Sequence, residues 1–341
     1  MRRAAIGILA GLAMSVAAQA QTPSPDPRLV ERARAILRTT PLIDGHNDLP
    51  WAIRDDFKNQ IVDITRDTRA LTPPLQTDIP RLRQGGVGGQ FWSVYVPAGL
   101  AGPQATRAVL EQIDTAKRIV AQYPDTFELA ATADDVVRIH RAGKIASMLG
   151  AEGGYAIDNS LGVLRELRRA GVRYMTLTHS ANIDWADSAT DAPRHGGLTR
   201  FGEEVVREMN RIGMLVDLSH VSEETMLDAM RVSEGPVIFS HSSARGVTDH
   251  ARNIPDAVLR QLPQDGGVAM VTFVGFFVSE RARAASAARS AEEARLKSLH
   301  PGDPARVTRE LDAWRAANPW LLTITTTARP RAAAAGAHRA A

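Results

Sequence analysis

The sequence predicts an α/β fold, and within that class a TIM-like (β/α)8 barrel that is incomplete at its C-terminal end. Short apolar segments alternate with longer amphipathic ones, which is typical of parallel strands covered by helices. The apolar segments end in histidine or carboxylate residues, and barrel enzymes carry their chemistry at the carboxyl ends of their strands. An open sheet would spread these side chains too widely for one site, so a closed barrel is favoured.

Composition is that of a soluble globular protein, with 44% hydrophobic and 23% charged residues in a chain of 341. The chain contains no cysteine, which excludes disulfides and thiol chemistry. The net charge is +3, but Arg2 and Arg3 contribute +2 and three arginines after Asn318 contribute +3, which leaves −2 for residues 21–317. The central part is therefore slightly acidic, and we expect no nucleic-acid partner.

The N-terminal residues have the pattern of a secretory signal peptide at 1–20. A basic start precedes an apolar stretch at 4–17, and Ala18-Gln19-Ala20 has the small-x-small pattern of a cleavage site. A Pro/Ser/Thr linker at 21–27 follows. We therefore expect an exported protein, periplasmic or secreted, without membrane association after cleavage. An uncleaved membrane anchor is the alternative.

The barrel begins with an amphipathic helix at 28–38, which ends before Pro41 because the residue ahead of a proline disfavours helix. A strand at 42–46 follows. A glycine-rich run at 85–89 precedes the next strand, at 90–96. A phosphate-binding loop would follow its strand, so this run indicates close packing. The next predicted elements are helices at 104–122 and 133–142 and a strand at 145–152.

From there a helix and a strand alternate with short connections. The strands are nearly continuous apolar runs, as expected for strands buried on both faces. The predicted elements are, in order, helix 161–170, strand 174–179, helix 201–212, strand 214–220, helix 223–231, strand 236–241, helix 255–262 and strand 268–274. The barrel domain is thereby placed at 28–317.

The strand ends carry a set of residues that could bind metal. Residues two apart on a strand point to the same side, so His46 and Asp48 converge. Each residue alone could be a hydrogen-bonded scaffold residue or a helix cap, but together they form a nitrogen and oxygen ligand set without thiolate, suited to Zn²⁺. Because one catalytic zinc needs about three protein ligands, the set indicates two metals bridged by a carboxylate. Its members are His46, Asp48, Glu152, His179, His220 and His241.

Five short stretches resemble the membrane dipeptidase (renal dipeptidase) family of zinc peptidases. They are Asp44-Gly45-His46-Asn47-Asp48, Gly150-Ala151-Glu152-Gly153, Leu177-Thr178-His179-Ser180-Ala181-Asn182, Asp217-Leu218-Ser219-His220 and Ser240-His241-Ser242-Ser243-Ala244. The resemblance extends from about Pro27 to Asp312. It implies a TIM-like barrel of the metal-dependent hydrolase type, in which a metal-bound hydroxide at a binuclear zinc centre hydrolyses dipeptides.

The resemblance also implies a role for each site residue. One zinc would be held by His46 and Asp48, and the other by His220 and His241. Glu152 would bridge them as a catalytic ligand. His179 would contact the substrate and stabilise the oxyanion as a second catalytic residue. Arg252 would bind substrate oxygens. The same ligands accept Mn²⁺ or Co²⁺. The expected partner is a dipeptide substrate, and whether the chain forms a homodimer is left open.

The resemblance stops near the end of the chain. The family continues to another strand, ending in a Gly-x-Asp-Phe-Asp-Gly segment whose aspartate transfers protons, and nothing of that form follows Asp312. Residues 318–341 instead form a low-complexity segment rich in Thr, Ala, Arg and Pro. We expect a shifted reading frame or a truncated product with a non-native tail; a natural disordered tail is the alternative. Without its last strand the barrel would expose an edge, and general acid-base catalysis worth about 10² to 10⁴ in rate would be lost.

Two other functions stay open. Another binuclear amidohydrolase, acting on lactones, phosphotriesters or D-aminoacyl amides, is disfavoured because such relatives commonly begin with His-x-His and use a bridging lysine, whereas this chain has His46-x-Asp48 and Glu152. A non-catalytic metal- or peptide-binding remnant, which lacks the acid/base aspartate, would bind zinc and dipeptide without hydrolysis.

Overall fold

The computed structural model describes residues 25–100 and 102–318. The predicted signal peptide at 1–20 lies outside the described residues, as do most of the linker at 21–27 and most of the tail at 318–341. No helix in the described ranges is both long and apolar enough to cross a membrane.

Eight strands form one parallel sheet, whose hydrogen-bonded order is β1-β2-β4-β5-β6-β7-β8, with β3 added beside β4. The strands are β1 Leu42–Asn47, β2 Val87–Tyr95, β3 Phe127–Leu129, β4 Ile145–Glu152, β5 Val172–Thr176, β6 Leu215–Asp217, β7 Val237–Ser242 and β8 Val268–Val271.

Helices cover the outside of the sheet and alternate with its strands. They are α1 Pro27–Thr39, α2 Leu49–Phe57, α3 Ile79–Gln84, α4 Pro103–Gln122, α5 Ala133–Arg141, α6 Leu161–Arg169, α7 Arg200–Arg211, α8 Glu223–Val232, α9 Asp256–Gln261, α10 Gly275–Val278, α11 Glu280–Leu299 and α12 Pro304–Ala317. Helices α6, α7 and α8 each begin after a Ser or Thr N-cap whose hydroxyl accepts a backbone N–H of the first turn, which fixes where they start.

The sheet curls into a nearly closed barrel of seven strands. At Gly45 on β1, an added Cβ atom would lie 2.2 Å from the Ser240 carbonyl oxygen on β7 and 2.3 Å from Met270 Sδ on β8. The two ends of the strand order therefore approach each other closely, and only glycine fits at this point. The predicted TIM-like (β/α)8 fold is confirmed, with seven strands on the barrel path of the described ranges.

The barrel interior and the layer between strands and helices form the core. Tyr174 on β5 lies in the interior, because its ring occupies the space that a side chain at Gly150 would take, and its hydroxyl reaches the Gly45 carbonyl oxygen of β1 at 3.0 Å. Trp92 on β2 packs edge-on against Phe127 of β3, with ring centroids 5.5 Å apart. The Tyr174 ring thus spans the interior from β5 to β1 and fixes the distance between these strands just below their ends.

The last described strand is shorter than predicted. The sequence predicts a strand at 268–274, whereas β8 ends at Val271 and pairs only with β7 within the described ranges. Phe273, just beyond it, is 92% exposed. Within the described ranges, one side of β8 is therefore without a hydrogen-bonded neighbour strand.

Candidate metal and substrate site

The predicted site residues lie at one end of the barrel. His46, Glu152 and His241 are within the last residues of β1, β4 and β7. His179 and His220 each follow the end of their strand by three residues. Because the strands are parallel, all five side chains reach the same mouth.

Glu152 is the centre of this group. Its side chain is only 3% exposed, and Nε2 atoms of four histidines surround its two oxygens. Its Oε2 lies 3.5 Å from Nε2 of His46. Its Oε1 lies 3.6 Å from Nε2 of His179, 3.1 Å from that of His220 and 3.3 Å from that of His241. Ser93 on β2 donates a hydrogen bond to Oε2 at 3.1 Å.

Two groups with metal-ligand spacing share this carboxylate. One contains His46, Glu152 and His241, and the other contains Glu152, His179 and His220, with the ligand atoms of each group within 4.8 Å of one another. The rings follow the same division, since those of His46 and His241 stack at 3.8 Å and those of His179 and His220 lie 4.2 Å apart. A carboxylate with a ligand group on each side is the arrangement that two bridged ions require.

Asp48 lies at the rim of the site. Its Oδ1 is 3.3 Å from Nε2 of His46, and its side chain is 60% exposed. The convergence predicted for His46-x-Asp48 is therefore present. The pairing predicted from the resemblance, which places Asp48 with His46 and His241 with His220, differs from the two compact groups, and the assignment of ligands to individual ions stays a prediction.

The electrostatics of the site favour ligands in their deprotonated form. Burial opposes ionisation of Glu152, but His46, His220 and His241 hold the pKa of its carboxyl well below the usual range. Burial lowers the pKa of His220 to about 3, with a further contribution from Arg252. Burial and the neighbouring His46 lower the pKa of His241 to about 3. At neutral pH, His220 and His241 are thus neutral imidazoles and Glu152 is an ionised carboxylate, which are the charge states that bind a metal.

His46 differs from the other histidines in its charge environment. Although burial acts against its charged form, Glu152 and Asp48 raise the pKa of His46 to about 9. The Tyr174 hydroxyl donates to the Gly45 carbonyl, so its oxygen can accept from Nδ1 of His46, which lies 3.3 Å away. This contact turns Nε2 of His46 toward Glu152. Sequence reasoning missed Tyr174, because an interior tyrosine in an apolar strand gives no sign of which histidine its hydroxyl reaches.

The donor set fits a pair of divalent ions. All four histidines present Nε2, and Nε2 of His220 lies 2.9 Å from Nε2 of His241. The Nδ1 atom of His220 is buried without a hydrogen-bond partner in the described ranges, and the residue has a φ of 74°. Converging imidazole nitrogens around a buried carboxylate, with no thiolate, are the chemistry of Zn²⁺ and similar ions.

Arg252, for which the sequence predicts a role in substrate binding, lies beside His241. It is 5% exposed, and its Nη2 donates to the His241 carbonyl at 3.4 Å. Its guanidinium lies 5.5 Å from the ring centroid of Phe277. Burial lowers the pKa of Arg252 to about 10, so the guanidinium is still charged at neutral pH. No carboxylate pairs with it in the described part of the chain. A charged guanidinium without a carboxylate partner can donate paired hydrogen bonds to an anion.

The segment between β5 and α7 fixes the backbone at both His179 and His220. Ser188 donates through its hydroxyl to the His179 carbonyl at 2.6 Å, and the backbone N–H of Ala189 donates to the His220 carbonyl at 2.7 Å. The segment is held by Asp187, which is buried and accepts four backbone N–H groups, from residues 194 to 197. This anchor was not predicted, since the hydrogen bonds depend on how the loop folds back.

Comparison with known proteins identifies the family of this chain. Residues 30–300 match the family model described as membrane dipeptidase (peptidase family M19). Dipeptidase 3 of Mus musculus is 48% identical over 252 residues, which cover 72% of this chain and 50% of that protein. Dipeptidase verJ of Clonostachys rogersoniana is 47% identical over 257 residues, 72% of this chain and 65% of the relative. The chain thus spans about half to two thirds of the length of these curated relatives.

Solved structures agree with this match. A metallo peptidase from Rhodobacter sphaeroides, crystallised with a phosphinate mimic of the dipeptide L-Ala-D-Ala, is 26% identical with a TM-score of 0.61, covering 71% of this chain and 76% of that one. The dipeptidase AC structure is 27% identical with a TM-score of 0.61, covering 71% and 75%. The resemblance seen in the five sequence stretches is confirmed, and the chain belongs to the membrane dipeptidase family of metallopeptidases.

Proposed function

We propose that this chain hydrolyses dipeptides at a centre of two divalent ions, with zinc as the first candidate and Mn²⁺ or Co²⁺ as alternatives. The observation that carries the proposal is the buried Glu152 carboxylate with a compact histidine group on each side. The dipeptidases among the relatives support the choice of substrate.

The proposed ligands are His46, Asp48, Glu152, His220 and His241. When bound, two such ions supply Lewis acidity toward a carbonyl and a nucleophile at neutral pH. Glu152 keeps the two positions close together, since a single carboxylate faces both histidine groups. Its Oε2 also accepts from Ser93, which holds the carboxylate in one orientation.

Two residues would act on the substrate directly. The Arg252 guanidinium would bind the terminal carboxylate of the dipeptide, since it is buried, charged and without a carboxylate partner in the described ranges. The imidazole of His179 would donate a hydrogen bond to the carbonyl oxygen of the scissile peptide and stabilise the charge that develops there. His179 lies at the mouth, and its ring centroid is 4.8 Å from that of Tyr95.

We also propose that the chain is exported, because residues 1–20 have the pattern of a cleaved signal peptide. Expression in a bacterial host followed by N-terminal sequencing of the periplasmic protein would test this. A protein that stays in the cytoplasm with Met1 intact would contradict it.

The function is tested by measuring metal and turnover on the same sample. We expect about two zinc ions per chain, by elemental analysis, and release of free amino acids from a dipeptide such as L-Ala-D-Ala, with the Glu152→Gln variant lacking both. A chain that binds zinc but releases no amino acid would favour the non-catalytic alternative. A chain that binds no zinc would overturn the proposed centre.

A further inference from the structure

A buried chain of hydrogen bonds leads from the metal site to an aspartate that is not among the proposed ligands. Asp217, at the end of β6, is fully buried. Its Oδ2 accepts from the Ser240 hydroxyl at 2.6 Å and from the Thr176 hydroxyl at 2.5 Å. Its Oδ1 accepts the backbone N–H groups of Ser219 and Ser240 at 3.1 and 2.8 Å. Three neighbouring strands, β5, β6 and β7, thus hold this carboxylate in place.

The Ser240 hydroxyl connects this carboxylate to His241. Ser240 Oγ lies 2.8 Å from Nδ1 of His241. A hydroxyl has one proton, and the aspartate oxygen at 2.6 Å takes it in preference to the Ser219 hydroxyl at 3.4 Å. The Ser240 oxygen can then only accept from His241, which places a proton on Nδ1 of that ring.

The consequence concerns the other nitrogen of the ring. A neutral imidazole with its proton on Nδ1 has a lone pair on Nε2. In His241 this lone pair faces Glu152 Oε1, 3.3 Å away. The same nitrogen lies 2.9 Å from Nε2 of His220, in the space between the two histidines and the carboxylate. An unprotonated Nε2 in this position is available to a metal, so the hydrogen bonds on one side of the ring prepare the other side for an ion.

We propose that Asp217 is a positioning residue of the metal centre, acting through the Ser240 hydroxyl to hold His241 with its proton on Nδ1 and its lone pair toward Glu152. The inference rests on the proposed function, because it assumes that His241 is a metal ligand. It assigns roles to two residues whose side chains are not in either metal-ligand group.

The first test is nitrogen NMR of the imidazole rings in the metal-free protein. We expect the His241 signal to be that of the Nδ1–H form, and in Ser240→Ala to shift toward a mixture of both forms. The second test is zinc affinity by chelator competition. Loss of such an outer partner typically weakens metal binding about 10- to 100-fold, so the zinc dissociation constant of Ser240→Ala should rise by that factor.

The matched control is Ser147→Ala. Ser147 is a fully buried strand serine whose hydroxyl has no partner in the described ranges, so its loss should leave zinc affinity unchanged. Asp217→Asn added to Ser240→Ala should weaken binding no further than Ser240→Ala alone, because both act through one path.

Three results would count against the inference. A His241 proton on Nε2 in the unmodified metal-free protein would overturn it, even if Ser240→Ala does not fold. A Ser240→Ala protein that binds zinc as tightly as the parent would also overturn it. A Ser147→Ala protein whose zinc affinity falls as much as that of Ser240→Ala would overturn it too. A parent that binds no zinc would overturn the proposed function, while an Nδ1–H signal from His241 would still establish the hydrogen-bond chain.

Discussion

The imidazole of His46 stacks on that of His241, with the ring centroids 3.8 Å apart and the planes inclined by 30°. These residues lie on β1 and β7, which are not hydrogen-bonded neighbours in the strand order. The stack exists because the sheet curls until its two ends approach at Gly45 and Ser240. Closure of the barrel therefore also assembles the site.

Metal removal should destabilise the fold. Any ligand that binds only the folded state stabilises it, by about 2.7 kcal/mol when its free concentration is 100 times its dissociation constant. Chelation should therefore lower the midpoint of urea unfolding, and added zinc should restore it. The Glu152→Gln variant should show no such response. Equal midpoints for the parent protein with zinc and with chelator would contradict the prediction.

Replacing Arg252 by lysine should weaken substrate binding more than turnover. Lysine keeps the charge but loses the planar fork that matches a carboxylate, so we expect KM for a dipeptide to rise about tenfold with a smaller change in kcat. Steady-state kinetics would measure both. Arg245→Lys is the matched control, since the Arg245 guanidinium already pairs with the Glu223 carboxylate at 2.8 Å. An unchanged KM in Arg252→Lys would exclude this role.

The Asp187 anchor should make stability depend on pH. Burial alone would raise the pKa of the Asp187 carboxyl. The pKa is instead lowered, because the carboxylate accepts the backbone N–H groups of His195, Arg194, Gly196 and Gly197. Because this pKa is lower in the folded protein than in the unfolded chain, where it is near 3.9, the ionised carboxylate stabilises the fold at pH values above about 3.9. This stabilisation is lost as the pH falls through the pKa of the folded state. Asp187→Asn should lower the free energy of unfolding by about 2 to 3 kcal/mol at pH 7, and the difference from the parent should shrink below about pH 4.

Urea unfolding at several pH values would measure this effect. Asp184→Asn is the control, because the Asp184 side chain is 67% exposed and its substitution should change stability by less than about 0.5 kcal/mol. A constant difference between the parent and Asp187→Asn from pH 7 to pH 3 would show that the carboxylate charge is not the cause.

The free edge of β8 should promote self-association. Val271 at the end of β8 and Phe273 just beyond it are largely exposed, and an exposed apolar strand edge is a template for pairing with another chain. Light scattering should detect species larger than a monomer, which the double variant Val271→Lys and Phe273→Ser should reduce. Val247→Lys, at another exposed valine, should not reduce them. Association that is the same in all three proteins would point to a different surface.

Sequence reasoning located the strand ends well where the apolar runs are long. The strand predicted at 145–152 agrees with Ile145–Glu152, and the one at 236–241 agrees with Val237–Ser242 within one residue. The strand predicted at 214–220 is shorter, Leu215–Asp217, because the chain leaves the extended conformation before His220, whose φ is positive. The histidines and carboxylates that follow the strands still converge, because all parallel strands of a barrel end at the same mouth.

Other features could not be predicted from local patterns. Strand β3 has only three residues, and α11 contains many alanines, which give a weak amphipathic period. The roles of Tyr174 and Asp217 depend on contacts between strands far apart in sequence. An apolar strand shows that a side chain is buried, but which histidine its hydroxyl reaches is decided only when the barrel forms.

The space at Gly150, on the strand that ends at Glu152, gives a residue without a side chain an influence on the site. An added Cβ atom there would lie 2.0 Å from Cζ of Tyr174, so even alanine would push the ring away from β4. The same ring carries the hydroxyl that contacts Nδ1 of His46. A random-mutagenesis screen for loss of zinc should therefore recover position 150, although glycine has no side chain to offer a metal.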